Sequence, residues 1–299
     1  MRLRLRACAK INWTLEVLGR RGDGYHELRT IFQTIALADD LMIEPGERED
    51  RLTLAGGQER LAVSVPVDAS NLVLRAAAAY RAEAGSDSVP PLVITLVKRI
   101  PPAAGLGGGS SDAAAVLRAM DSLNPRPLGT ARLEAIAARI GADVAFFVRG
   151  GTQLARGRGE MLTPLADSPA CWLVLVPLTD TDPRKTARLY GLLTPDDYAD
   201  GSYTERLAEV LRAGRPPSPE LLHNSFARVA EIAFPRARAA REALERLCGR
   251  AVLCGAGPSL FALAPSQQVA RRWVAQLRPA FPAIVTRTVG SAETGAPFF

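Results

Sequence analysis

Four glycines and two serines stand directly before an alanine-rich apolar run in the middle of the chain. Residues 101–112 read Pro-Pro-Ala-Ala-Gly-Leu-Gly-Gly-Gly-Ser-Ser-Asp, and the apolar run continues to Leu123. Glycine lets a bulky anion approach the backbone, and the start of a helix presents unpaired amides and the positive end of its dipole. This combination is typical of a phosphate-binding loop. A flexible surface turn is the alternative, which the following helix disfavours.

The amino-acid sequence of the loop excludes two common nucleotide-binding motifs. A Walker A loop ends in Gly-Lys-Ser/Thr, whereas Gly109 is followed directly by Ser110. A dinucleotide-binding fingerprint has a glycine three places after Gly107, where Ser110 stands, and its loop follows the strand tightly. Here residues 98–104, which include two prolines, separate the loop from the predicted strand. The loop therefore predicts phosphate binding without a P-loop lysine.

Two polar pairs near the N-terminus are candidates for ligand binding. Lys10 and Asn12 lie two residues apart, so in an extended chain they project from the same face. A cation beside an amide suits an anionic or hydroxylated ligand, although a solvated lysine beside a turn is the favoured interpretation of this pair alone. Tyr25 and His26 supply a flat ring and an imidazole after a tight turn, which by itself is weak evidence.

Two further segments are candidates in the remainder of the chain. Asp143 lies between the end of a predicted helix and an apolar run, where its carboxylate either caps the turn or acts as a catalytic base. A second glycine turn, residues 255–259, lies between two apolar strands. It would bring backbone amides near the first loop, but taken alone a simple hairpin is favoured.

The composition is that of an ordinary globular enzyme. The chain has 299 residues, of which 47% are hydrophobic and 23% charged, with a net charge of +6. No apolar stretch is long enough to span a bilayer, so we expect a cytoplasmic protein without a membrane partner. Two histidines and four cysteines without CxxC spacing favour neither a metal centre nor a disulfide framework. The arginines of residues 236–250 fit a solvated helix face without interleaved aromatics, so we do not expect nucleic-acid binding.

The elements that must position these residues predict an α+β fold of two domains. A glycine-rich polar stretch at residues 156–163 suggests a division into residues 1–160 and 161–299. In the first half we expect a strand over 3–18 interrupted near 10–12, a hairpin over 52–65, a helix over 72–84 capped by Ser70, a strand over 92–97, and helices over 111–123 and 130–140. In the second half we expect helices over 220–233 and 236–248, a strand–turn–strand unit over 251–264, and a helix over 266–278.

Taken together, the candidate segments resemble the GHMP kinase superfamily. The motifs that carry the resemblance are Lys10-x-Asn12, Pro-x-x-x-Gly-Leu-Gly-Gly-Gly-Ser-Ser at 101–111, Gly-Ala-Asp-Val at 141–144 and Gly-Ala-Gly-Pro-Ser at 255–259. Further segments resemble the branch that phosphorylates 4-diphosphocytidyl-2-C-methyl-D-erythritol in the non-mevalonate isoprenoid pathway: Asp23-Gly24-Tyr25-His26-Glu27-Leu28, Phe32-Gln33, Ser70-Asn71-Leu72 and His223-Asn224-Ser225-Phe226. Ala103 and Ala145 depart from the glycine and proline that this family usually has there.

The resemblance implies a fold, a reaction and a set of site residues. The fold has an N-terminal ATP-binding domain with a mixed sheet and the phosphate-binding loop, and a sandwich-like α/β C-terminal domain. The reaction is Mg²⁺- and ATP-dependent phosphorylation of the 2-hydroxyl of the cytidyl substrate, with Asp143 as general base and Lys10 orienting that hydroxyl. ATP is expected to contact Asn71, Lys98, Pro101, Pro102, Ala103, Ala104, Gly105, Leu106, Gly107, Gly108, Gly109, Ser110 and Ser111. The small-molecule substrate is expected to contact Asn12, Tyr25 and His26, with Tyr190 over the cytosine.

Two alternatives stay open. In the first alternative, the chain is another kinase of this superfamily that acts on mevalonate, homoserine or a sugar, and none of these substrates needs Tyr25 and His26. Otherwise it is a nucleotide-binding relative that has lost kinase activity, against which the presence of both Lys10 and Asp143 argues. The metal ligands are also open, since the spacing does not choose between the hydroxyls of Ser110 and Ser111.

Overall fold

The structure is a computed structural model that describes residues 2–56, 65–167, 169–180, 182 and 184–294. In the first half the elements are β1 (Leu3–Arg20), β2 (His26–Pro45), β3 (Arg51–Leu54), α1 (Leu72–Ala84), β4 (Leu92–Val97), α2 (Gly108–Leu123), α3 (Thr130–Ile140), α4 (Ala142–Arg149) and β5 (Thr152–Gly157). In the second half they are β6 (Met161–Pro164), β7 (Trp172–Val176), α5 (Lys185–Gly191), α6 (Ser202–Arg212), β8 (His223–Asn224), α7 (Ala227–Ala233), α8 (Pro235–Cys248), β9 (Val252–Leu253), β10 (Leu260–Ala264), α9 (Gln267–Leu277) and β11 (Ile284–Arg287). Short 3₁₀ turns are at Pro195–Asp197, Pro219–Leu221 and Ser291–Glu293.

The first sheet is mixed and is built around two long antiparallel strands, β1 and β2. Its order is β3-β4-β2-β1-β8, and β5 extends it from the other half of β2, followed by β6. The β3–β4 and β1–β8 pairs are parallel, whereas the others are antiparallel. Helices α1 to α4 pack together against this sheet, where Tyr80, Phe146 and Phe147 are fully buried. The helices thereby close one face of the sheet and bring the start of α2 onto β1.

Strand β1 is buried on both faces through its middle. Ile11 and Trp13 point to the apolar side, while Lys10 and Asn12 alternate with them and are also buried. The predicted interruption near residues 10–12 is wrong, because the strand continues with shifts in register on either side of that segment. Such bulges turn a strand without ending it. The polar residues therefore mark a buried polar face of the strand and not a loop.

The second sheet is antiparallel, with the order β11-β7-β10-β9, and α8 and α9 pack on it. The predicted strand–turn–strand unit and both helices that flank it, α8 and α9, are confirmed. The two halves of the chain are interleaved, because β6 follows residue 160 yet belongs to the first sheet, and β8 pairs with β1. The division at residue 160 stays a prediction.

Four local features of the structure differ from the sequence-based expectations. Asn71, and not Ser70, caps α1: its side-chain oxygen accepts a hydrogen bond from the amide of Val73 at 2.9 Å. The predicted helix over 220–233 is wrong in its first part, where a 3₁₀ turn and β8 precede α7, because that backbone pairs with β1 instead. Helix α2 begins at Gly108, earlier than expected. Strand β3 pairs in parallel with β4, and the remainder of the expected hairpin over 52–65 falls largely outside the described residues.

Candidate active site

The glycine-rich loop runs directly into the first turn of α2, as the sequence predicted. Among the residues that the structure describes, no side chain caps this helix, so its first amides remain available to a ligand. Gly107 has a φ of +72°, and a Cβ there would lie 2.7 Å from the Phe147 ring. The backbone amide of Lys10 donates to the carbonyl of Leu106 at 3.0 Å, which fixes the loop to β1. The helix start and its glycines therefore have the geometry that suits an anion.

A cavity of about 380 Å³ opens beside this helix start. The predicted nucleotide-binding residues that line it are Asn71, Lys98, Pro101, Pro102, Ala103, Ala104, Gly105, Gly107, Gly108, Gly109 and Ser110. Leu106 and Ser111 are buried away from it: Leu106 belongs to an apolar cluster, and the Ser111 hydroxyl donates to the carbonyl of Cys8 at 2.7 Å. Of the two serines, Ser110 is therefore the one that faces the cavity.

Lys98 lies at the floor of this cavity in a buried ion-pair network. Its ammonium donates to the carboxylates of Asp39 at 2.5 Å and Asp112 at 2.8 Å. Burial lowers the pKa of Lys98, but the two carboxylates outweigh burial and raise it. Asp39 also accepts the backbone amide of Ile100 at 2.8 Å, which ties the start of the loop to β2. The ammonium of Lys98 is thus already held by two carboxylates, and its predicted contact with the nucleotide stays a prediction.

Lys10 and Asp143 come together on the other side of the loop. The Lys10 ammonium is 3.6 Å from the Asp143 carboxylate and donates to the Asn12 side-chain oxygen at 2.9 Å. Asn12 in turn donates to the hydroxyl of Thr30 at 2.7 Å. The Lys10 side chain is only 6% exposed, whereas that of Asp143, in the first turn of α4, is 37% exposed. The pair thus presents an accessible carboxylate beside a buried, oriented cation.

A second cavity, of about 210 Å³, is centred on this pair. Gly105 and Gly107 line both this cavity and the one beside the start of α2. The second glycine turn forms another wall of this cavity through Gly255 and Ala256. The turn packs closely on the first loop, since a Cβ at Gly105 would overlap the carbonyl oxygen of Cys254. This turn joins β9 to β10, so it is both the hairpin that was favoured and a close neighbour of the first loop.

An aromatic cleft of about 760 Å³ lies next to the second cavity. It contains three predicted substrate-binding residues, Tyr25, His26 and Tyr190. The rings of His26 and Tyr190 stack with centroids 4.9 Å apart, and the exposed Tyr25 ring lies 4.6 Å from the Arg158 guanidinium. Burial lowers the pKa of His26, and the charge of Arg20 lowers it further. Both effects favour the neutral imidazole, which has one donor and one acceptor nitrogen.

Several residues of these cavities were not found from the sequence. Tyr198 and Arg158 line the aromatic cleft, and Lys185 lines the cavity around Lys10. Burial lowers the pKa of Lys185 to about 8, and the charge of Lys10 contributes to that shift. No local signal in the sequence marks Lys185, because α5, which begins at this residue, was not predicted.

Comparison with known proteins identifies the family. The model for the N terminal domain of GHMP kinases matches residues 71–151, and the model for their C terminal domain matches residues 207–283. The chain belongs to the GHMP kinase family. A 4-diphosphocytidyl-2-C-methyl-D-erythritol kinase from Moorella thermoacetica is 40% identical over 291 residues, which covers 96% of this chain and 99% of the relative. Another, from Heliobacterium modesticaldum, is 39% identical over 284 residues, with 90% and 88% covered.

Solved structures agree with the assignment of the chain to the GHMP kinase family. A crystal structure of a 4-(cytidine 5'-diphospho)-2C-methyl-D-erythritol kinase superposes with a TM-score of 0.80 at 37% identity, covering 96% of this chain and 99% of that one. A homoserine kinase from Cytophaga hutchinsonii reaches 0.75 at 16% identity, covering 99% and 97%, and shows the fold alone. The predicted α+β GHMP kinase fold and kinase activity are confirmed.

None of the helices in the described part of the chain has the length and apolar character that a membrane span requires.

Proposed function

We propose that this GHMP kinase transfers the γ-phosphoryl group of ATP to the 2-hydroxyl of 4-diphosphocytidyl-2-C-methyl-D-erythritol. The observation that carries the proposal is the continuity of three cavities. Gly105 and Gly107 border both the nucleotide cavity and the cavity around Lys10, while Arg158 and Tyr190 border both that cavity and the aromatic cleft. A substrate with a base at one end and a hydroxyl at the other matches this arrangement, with ATP entering from the opposite side.

The aromatic cleft supports a cytidyl substrate over a simple alcohol. A cleft of about 760 Å³ with stacked rings is larger than mevalonate or homoserine needs. Neutral His26 has the donor and acceptor that a cytosine edge requires, and Tyr25 and Tyr190 provide flat surfaces for the base. Arg20 and Arg158 bring positive charge to the same cleft, which suits a diphosphate.

The nucleotide cavity supports ATP bound with Mg²⁺. The described residues hold no cluster of three or more histidine, cysteine or acidic side chains of the kind that binds a metal alone. Mg²⁺ is commonly held by substrate phosphates together with one or two protein oxygens. The Ser110 hydroxyl and the buried Oδ1 of Asp112, which has no partner among the described residues, fit that need. When bound, Mg²⁺ supplies positive charge to the phosphates of ATP.

The roles proposed at the centre follow from the geometry of Lys10 and Asp143. The 2-hydroxyl oxygen attacks the γ-phosphorus, the bond from that phosphorus to the bridging oxygen breaks, and ADP leaves. The hydroxyl proton passes to the Asp143 carboxylate, whose side chain is 37% exposed and reachable from the substrate side. Lys10, oriented by Asn12 and 3.6 Å from Asp143, holds the carboxylate in place and offsets negative charge on the attacking oxygen.

The test is ADP release by the purified protein with ATP, Mg²⁺ and one candidate acceptor at a time. We expect turnover with 4-diphosphocytidyl-2-C-methyl-D-erythritol, and none with mevalonate or homoserine. CMP and CDP should compete with the acceptor, because they occupy the aromatic cleft. Turnover with mevalonate or homoserine in place of the cytidyl substrate would reject the proposed acceptor. ATP binding without turnover on any acceptor would favour a non-catalytic relative.

A further inference from the structure

Lys185 joins the two glycine turns of the active site. Its ammonium donates to the carbonyl of Ala103 in the phosphate loop at 2.7 Å and to the carbonyl of Gly257 in the second glycine turn at 2.5 Å. Only 7% of the residue is exposed. A buried lysine normally pairs with a carboxylate, whereas this one holds two backbone segments that are far apart in sequence.

The loop conformation that Lys185 holds is an unusual one. Ala103 has a φ of +52° and is the one residue other than glycine with a positive φ in the described part of the chain. An alanine in this left-handed region is strained, because its Cβ approaches the following carbonyl oxygen. The hydrogen bond from Lys185 to the carbonyl of Ala103 therefore offsets a cost that lies at the entrance of the phosphate loop.

Lys185 also faces the reaction centre. It lines the same cavity as Lys10, Asn12 and Asp143. An ammonium has three donor hydrogens, and two of them are engaged with carbonyls. The position of the phosphate loop, which holds the nucleotide, and the position of the catalytic pair are thus linked through one side chain.

We propose that Lys185 is a positioning residue for phosphoryl transfer: its ammonium fixes the phosphate loop against the second glycine turn and so places the nucleotide beside Lys10 and Asp143. This inference rests on the proposed function, since it assumes that the loop binds ATP. It assigns a role in that function to a residue of α5, which lies outside both glycine-rich segments. The residue acts through the loop and needs no contact with the substrate.

The test is a double-mutant cycle of Lys185→Met and Ala103→Gly. In Lys185→Met we expect KM for ATP and Kd for ATP to rise about 10-fold, while KM for the acceptor changes less than about two-fold. Glycine at 103 adopts a positive φ without strain, so Lys185→Met in the Ala103→Gly background should cost only about three-fold. Arg188→Met is the matched control, because it removes an exposed cation from the same helix, and its ATP affinity should stay within two-fold.

Calorimetric titration with ATP and measurement of Tm accompany the kinetics. The titration does not depend on the acceptor, so a wrong acceptor would leave the binding result interpretable and the two proposals can fail separately. An equal loss of ATP affinity in both backgrounds would overturn the link to Ala103, and unchanged ATP affinity in folded Lys185→Met would overturn the proposal as a whole. If the Met variant does not fold, Lys185→Ala, which also removes the donor, enters the same cycle and the same outcomes decide.

Discussion

The two ends of the active site are built in different ways. On the nucleotide side, a single run of residues forms the loop and the start of α2, and the proposed binding groups are mainly backbone amides. On the acceptor side, His26 comes from β2, Tyr190 from α5 and Arg158 from the turn between β5 and β6, and the proposed binding groups are side chains. We therefore expect the nucleotide side to be most sensitive to bulk added where the backbone is tightly packed, and the acceptor side to be most sensitive to the loss of a side chain.

The contrast has a physical origin. Every ATP molecule presents the same phosphates, which backbone amides and a helix dipole recognise without any particular side chain. A base and a sugar-like alcohol need hydrogen bonds and flat surfaces at defined positions, and these come from side chains that the tertiary fold assembles. Between the two sides lies the pair of Lys10 and Asp143, which in the proposed mechanism acts on the atoms exchanged.

Asp143→Asn should give the largest effect, because it removes the proton acceptor and leaves both binding sides in place. A positioned base contributes about 10²–10⁴-fold, so we expect kcat to fall by at least that order. Kd for ATP and for the cytidyl substrate should change little. Steady-state kinetics and calorimetric titration of the same preparation measure both. A variant that keeps nearly full turnover would remove Asp143 from the mechanism.

Gly107→Ala should follow, with its main effect on the nucleotide side. The added Cβ would lie 2.7 Å from the Phe147 ring, at a backbone φ of +72° that alanine disfavours. We expect KM for ATP to rise about 10²-fold, since relief of the clash moves the start of α2. Gly109→Ala is the matched comparison, because among the described residues its Cβ would meet only Leu72, at 3.8 Å, and it should cost far less. Equal effects of the two substitutions would contradict the steric argument.

The same contrast explains how much of the site could be predicted from the sequence. The loop could be predicted from a local run of glycines. Lys10 and Asp143 became candidates through local signals, an alternation along a strand and a carboxylate in an apolar segment, but only the family resemblance gave them roles. The continuity of β1 was missed, because its polar face around Lys10 and Asn12 is buried by tertiary packing that sequence polarity does not show. The α+β class was accessible for the same local reason, whereas the return of β8 to β1 was not.

Two further details of the site were missed for different reasons. Lys185 bonds to carbonyls 82 and 72 residues away, and no side-chain type identifies a backbone carbonyl as a partner. Asn71 was placed at the nucleotide through the family resemblance, but its role as the cap of α1 was assigned to its neighbour Ser70. Both residues satisfy N-cap preferences, so geometry alone separates them.

Tyr190→Ala should affect the acceptor side and leave the nucleotide side unchanged. Its ring stacks on His26 and packs edge-on against Phe226, so its loss opens the cleft and removes a surface for the base. Stacking on an aromatic side chain is worth about 1–3 kcal/mol per base, so KM for the cytidyl substrate should rise about 10- to 100-fold. Tyr190→Phe keeps the ring and should stay within about three-fold. A rise in KM for ATP of the same size would show that the two sides are not separable.

A pH profile should give the smallest effect and tests the residue that links the two sides. Burial, with the charge of Lys10, lowers the pKa of Lys185 to about 8, while Asp180 opposes that shift and Asp143 and Arg158 line the same cavity. Because a pKa of about 8 leaves the ammonium mostly protonated at pH 7 and mostly neutral at pH 9, its hydrogen bonds to the loop weaken over that interval. We expect kcat/KM for ATP of the wild-type kinase to fall several-fold between these values. Lys185→Met should start lower and stay flat, since it has no ammonium to lose, and a parallel decline in that variant would assign the titration to another group.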